Sequence, residues 1–182
     1  MTYPAPTAGP DLRALYALFP PGDDLPEYEF VLPDEVPPPY YGLLVHEHHM
    51  TVTVEEFHHE RVDVRLLAKN RTGDYYARKI LLETQQSRRI VQFGVVRINF
   101  RYTSAAVRAA IVAEDTPVGR ILIEHNVLRR IEPTGFLRVI PGPAMMAWFG
   151  LDKPHPTYGR LAYIHCDNQP AVELLEIVAP VV

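Results

Sequence analysis

The chain has 182 residues, 47% of them hydrophobic, with a net charge of −4, which is enough for one domain with a sizeable core. Its single cysteine, Cys166, excludes an internal disulfide framework and a multi-cysteine zinc site. No apolar run is long enough to cross a bilayer as a helix, and the N-terminal MTYPAPTAGPDL lacks the basic start and apolar core of a secretory signal, so a cytoplasmic protein with no membrane partner is expected.

The first 40 residues hold ten of the 18 prolines. PPGDD and VPPPYY read as extended covering segments, with one short amphipathic helix capped by Asp11. Residues 1–40 are therefore expected to form a cover and residues 41–182 the domain proper, with no internal repeat and no linker. The stretch MTVTVEEFHHE alternates like a strand as far as Val54 and then turns helical, so propensity leaves both states open.

From Val62 onward VDVRLLA, YYARKILLE and RIVQFGVVRINF are rich in β-branched and aromatic residues and largely alternate, as strands do. NRTGD between the first two is a hairpin signal, with Gly73 free to take a positive φ, and QQSRR makes the next turn. SAAVRAAIVA reads as a helix capped by Thr103 or Ser104, and Val118 to His125 as another after the TPVG corner. FLRVIP, AMMAWFG, GRLAYIHCD and AVELLEIVAP read as strands, the last two joined about Asp167 and Asn168. The sum is a single α+β domain: an antiparallel sheet of about six strands with a few helices on one side.

Charge is unevenly spread. Residues 1–60 carry one basic and eleven acidic side chains, residues 61–130 fourteen basic and six acidic. The arginines are dispersed along apolar strands without a basic run, which points to a small anionic ligand and away from nucleic acid. Five of the eight histidines fall between residues 46 and 59. His46 and His48 are followed by Glu55, which is not the spacing that brings barrel strands onto one ion, and the HExxH pattern is absent. That segment is expected to be a solvated helix or turn, with no metal.

Arg78 shares the parity of Tyr76, Ile80 and Leu82, so it points at a core face where an unpaired charge is costly. It needs an internal carboxylate or a ligand's carboxylate, which a guanidinium grips in bidentate fashion. An edge-strand arginine snorkelling to water fits the pattern equally. Glu173 and Glu176 differ by three and face opposite ways in a strand, so one of them is free to point inward as a partner or proton carrier. In DTPVGRIL, Pro117 and Gly119 precede a helix start, a corner that offers backbone N–H groups to an anion.

Four stretches, HHMTVT, DYYARKILL, DTPVGRIL and AVELLEIVAP, in that order, resemble segments of the chorismate pyruvate-lyase family, the enzymes that make 4-hydroxybenzoate for ubiquinone. The likeness spans roughly residues 40 to 182 and favours the helical reading of Thr51 to His59. It implies a six-stranded antiparallel sheet whose helices enclose an internal pocket, with Met50 in the pocket wall, Arg78 anchoring a carboxylate, the backbone amides of Val118 and Gly119 holding another group, and Glu173 contacting the ring hydroxyl or handling the proton. Arg97 stands two positions beyond where those enzymes place their next arginine and joins the expected substrate-binding set. This shift, the proline-rich start and the histidines bring the chain closer to the divergent bacterial and archaeal branch. The implied reaction is pyruvate elimination from chorismate without metal or organic cofactor, the protein binding the dianion in a reactive pose and excluding water. Two alternatives are another small carboxylate-bearing substrate in secondary metabolism and a non-catalytic small-molecule-binding module, since a related form of the fold serves as the sensor domain of some transcription regulators.

Overall fold

Alternating apolar side chains, many of them β-branched, put most of the chain beyond residue 61 into one sheet. The computed structural model describes residues 9–181, and most of the MTYPAPTAGPDL stretch lies outside them. The strands are β1 (Glu27–Val31), β2 (Val62–Thr72), β3 (Tyr75–Thr84), β4 (Ile90–Asn99), β5 (Arg129–Ile140), β6 (Thr157–Cys166) and β7 (Gln169–Val178). They lie in the order β1-β5-β6-β7-β4-β3-β2, every neighbouring pair antiparallel. Gly73 turns the β2–β3 hairpin with φ of 60°, and Asp167 and Asn168 turn the β6–β7 hairpin with φ of 49° and 63°, the left-handed pair that a two-residue hairpin requires.

The sheet has seven strands where about six are expected. The addition is β1, which comes from the proline-rich segment and pairs with β5. EYEFV is a short alternating run, and Pro26 and Pro33 on either side keep it brief and at the sheet edge. The boundary at residue 40 therefore does not separate a cover from the sheet.

The helices are α1 (Leu12–Tyr16), α2 (Tyr40–Leu44), α3 (Met50–His58), α4 (Ala105–Val112), α5 (Val118–Glu124) and α6 (Pro143–Phe149). Asp11 caps α1 by accepting from Ala14 N at 2.7 Å, and Ser104 caps α4 through Val107 N at 3.2 Å. The ambiguous segment is helix α3, because Met50, Thr51 and Val54 bury one helical face. AMMAWFG is helix α6 and not a strand. Pro143 opens it and Gly150, at φ of 67°, closes it, the usual placement of these two residues about a helix.

Helices α2 to α5 pack on one face of the sheet, against Ile80, Leu82, Val96 and Ile98. Helices α1 and α6 cover the other, against Leu81, Phe93, Val95 and Leu175, so helices occupy both sides and not one. The second set is needed because the alternate positions of β3, β4 and β7 are also apolar. On this rear face Trp148 stacks on Phe93 at 5.4 Å, and Lys79 is buried in an ion pair with Asp24, its ammonium 5.4 Å from the Tyr16 ring and 5.1 Å from the Phe19 ring. Removing the acid strands a buried charge, so Asp24→Ala should lower unfolding free energy in urea by about 3–5 kcal/mol.

Candidate ligand-binding site

Register across four strands lays out the floor of an internal cavity. Gln92, Gly94 and Val96 of β4 are successive residues on the face covered by α3 and α5. Leu82, Gln92 and Val178 form one row; Ile80, Gly94, Glu176 and Arg160 the next; Arg78, Val96 and Leu174 the third. The roof comes from the first residues of two helices, Met50 and Thr51 of α3 and Val118 and Gly119 of α5, with His49 and Pro117 just before them. An ion pair between Glu55 and Arg120 ties α3 to α5. First-turn N–H groups have no partner within their own helix, so both helix starts bring such groups to the cavity wall. The space is about 50 Å³, several times what one water needs.

Two buried arginines stand in this wall under different conditions. Arg160 is fully enclosed. Its Nε donates to Glu176 Oε2 at 2.7 Å, and its other nitrogens donate to the carbonyls of Leu44, His46 and His48, fixing the loop that leads into α3. Arg78 is only 1% exposed, yet it makes one hydrogen bond, from Nη2 to Thr116 O at 2.8 Å. Its Nε and Nη1 have no partner, nor has the Oε1 of Gln92 two rows away. Among the described residues no carboxylate lies within ion-pairing distance of Arg78, and burial depresses its pKa, against the attraction of Tyr76, Glu114 and Asp115.

His49 closes the wall beside α5. Arg129 Nε donates to its Nε2 at 2.7 Å, which places the proton of the neutral ring on Nδ1. A methyl at Gly119 would come within 3.0 Å of that Nδ1, so the glycine lets α5 approach the imidazole. Burial, then the charges of Arg129, Arg160 and His48, push the His49 pKa down to about 4.

Of the residues expected from sequence, Met50, Arg78, Val118 and Gly119 line this cavity. Glu173 and Arg97 do not. They pair with each other on the opposite face, where Tyr75 lies 5.3 Å from the Arg97 guanidinium. The reason is strand parity: Val172, Leu174, Glu176 and Val178 of β7 share the cavity face with Gly94 of β4, and Glu173 belongs to the other set. Glu176 is the inward glutamate. Counting parity from the apolar Leu174 would have found it. Gln92 and Gly94 follow from the same count once Arg78 is set opposite Val96, whereas nothing in the sequence marks Arg160 or His49. Among the described residues no group of three His, Cys, Asp or Glu side chains gathers as a metal site. The His-rich segment serves instead as N-cap and loop: His49 precedes α3, and the carbonyls of His46 and His48 receive Arg160.

No family model matches the chain, and no curated protein does. Solved structures do. PhnF from Mycobacterium smegmatis matches with a TM-score of 0.51 at 12% identity, over 72% of this chain and 63% of that one. The effector domain of the same protein matches with a TM-score of 0.50 at 10% identity, over 72% of this chain and 88% of that domain. A third match, with a TM-score of 0.48 at 12% identity, is the ligand-binding domain assigned to a GntR-family transcriptional regulator of Bordetella bronchiseptica; it covers 64% of this chain and 85% of that one. The chain has the chorismate lyase-like fold. This chorismate lyase-like domain spans less than two thirds of the full PhnF chain and most of its effector domain. No helix among the described residues is long and apolar enough to cross a membrane.

The buried His49 makes stability depend on pH in a definite direction. Its pKa is about 4 when folded against 6.5 unfolded, so between those values the unfolded chain binds the extra proton. His49 thus supports the fold fully above pH 6.5, and that support is lost as pH falls toward 4. His46, lowered mainly by burial and Arg160, acts in the same sense. Unfolding free energy should drop from pH 7.5 to pH 5, and His49→Gln, which still accepts from Arg129, should show a smaller drop. Equal slopes in both proteins would mean that His49 is not the titrating group.

Proposed function

We propose that the chorismate lyase-like domain is a non-catalytic module that holds a small carboxylate in its internal cavity. The observation that carries this reading is Arg78: a guanidinium buried in the wall of a cavity, with two nitrogens that have no partner and no carboxylate in reach among the described residues. Burying a charge without partners is costly, and a planar carboxylate supplies the two missing acceptors in one group. The N–H groups at the start of α5, at Val118 and Gly119, stand in the same wall. The likeness to the effector domain of PhnF supports a role in ligand binding.

Pyruvate elimination from chorismate is the second reading, and Glu176 is the observation that favours it. It lies one row from Arg78 across the floor, where it would meet the ring hydroxyl of a bound hydroxybenzoate. Its carboxylate is held by Arg160, an arrangement that orients an acceptor for a hydroxyl and does not by itself move a proton.

Titration with 4-hydroxybenzoate, followed by incubation with chorismate, separates the readings. The wild type should bind the aromatic acid, Arg78→Ala should weaken it by about 2–5 kcal/mol, and chorismate should yield no pyruvate. Pyruvate release that disappears in Arg78→Ala would establish the lyase reading. Binding that survives Arg78→Ala unchanged would remove the site.

A further inference from the structure

Gln92 lies in the cavity wall and is 3% exposed, yet among the described residues its Oε1 has no hydrogen-bond partner. An unpaired buried acceptor costs stability unless a partner arrives. Its row is two rows beyond that of Arg78, about 13 Å along the strand from the rise per residue, with Gly94 between. A methyl at Gly94 would meet Ile80 Cδ1 and the Leu175 carbonyl at 3.5 Å, ordinary contact distances, and its backbone has no positive φ. The fold therefore tolerates alanine at Gly94. Its methyl would occupy the floor between the two unsatisfied side chains.

We propose that the ligand is an elongated carboxylate whose far end carries a hydrogen-bond donor, a hydroxyl or an amine, received by Gln92 Oε1 while its body lies over Gly94. This rests on the carboxylate-binding reading of Arg78 and adds the chemistry of the opposite end. Arg78 selects the anion, Glu176 lies midway, and Gln92 reads what lies beyond it. A ligand ending in a methyl group leaves the amide oxygen unpaired. One ending in a second carboxylate sets acceptor against acceptor in the amide orientation the structure shows, and is received only if the amide turns its NH2 group inward. Gln92 is thus a specificity-determining residue, and its polar side chain persists in a buried wall at the expense of stability.

Three para-substituted benzoates test this by calorimetry on the intact protein: 4-methylbenzoate, 4-(hydroxymethyl)benzoate and terephthalate. The hydroxymethyl compound should bind the wild type about tenfold or more tighter than the methyl compound, the penalty for leaving one buried polar group unpaired. Gln92→Leu should erase that difference and melt no lower than the wild type. Gly94→Ala should also melt no lower, while binding all the probes more weakly. Equal affinity for the methyl and hydroxymethyl compounds in the wild type, a preference for terephthalate, or a preference that persists in Gln92→Leu would overturn the role of Gln92. Loss of every probe from the wild type, or indifference of all of them to Arg78→Ala, would instead overturn the underlying reading of Arg78, and this proposal with it.

Discussion

A guanidinium buried with a single hydrogen bond is the constraint around which this domain is arranged. Arg78 is on a strand in the middle of the chain, at a position whose neighbours of like parity are Tyr76, Ile80 and Leu82. All three are core residues. A hydrophobic side chain at position 78 would continue that row without penalty. The arginine instead leaves two nitrogens unpaired in an enclosed space, and its one bond goes to Thr116, just before the corner that opens α5. The unsatisfied charge and the roof of the cavity are therefore joined directly.

The surroundings hold that space open. Arg160 shows how the same side chain is buried when its role is internal: it is paired with Glu176 and saturated by three carbonyls of the loop entering α3. The Glu55–Arg120 pair fixes α3 against α5, so both helix starts keep their places over the sheet. Gly119 allows α5 and His49 to approach, while Gly94 leaves the floor bare. The rear of the sheet is closed independently by α1, α6 and the Lys79–Asp24 pair. Rigidity thus comes from satisfied contacts on both faces, and the unsatisfied groups gather within the cavity. Such gathering is characteristic of binding sites, where polar groups await a ligand.

Much of this was legible in the sequence, and the failures have physical causes. Alternation disclosed β2, β3, β4, β6 and β7, turn residues disclosed NRTGD, and the parity of Arg78 left a core face and a solvated edge equally open. Alternation failed for α6, since a short apolar run looks alike as a strand and as a buried helix; the Pro143 and Gly150 boundary signals were the decisive ones. It also failed for β1, whose five residues lie between prolines. At the site, the resemblance pointed to β7, and a glutamate of β7 does line the cavity, but only register distinguishes Glu173 from Glu176, because a shift to the neighbouring position reverses the face. Arg160 and His49 lay beyond reach, since their roles depend on carbonyls and a guanidinium brought near by long-range packing.

In the proposed reading Arg78 serves a ligand and not the fold. Thermal unfolding of Arg78→Met, measured beside the wild type with no ligand present, tests it most directly. Methionine keeps the length and apolar body of the side chain and removes the buried charge. If the guanidinium is an uncompensated cost in the empty domain, the variant should melt at the same temperature as the wild type or higher. A melting temperature lowered by several degrees, as for loss of a core contact, would show that Arg78 stabilises the fold through interactions of its own and would contradict its assignment as a ligand anchor.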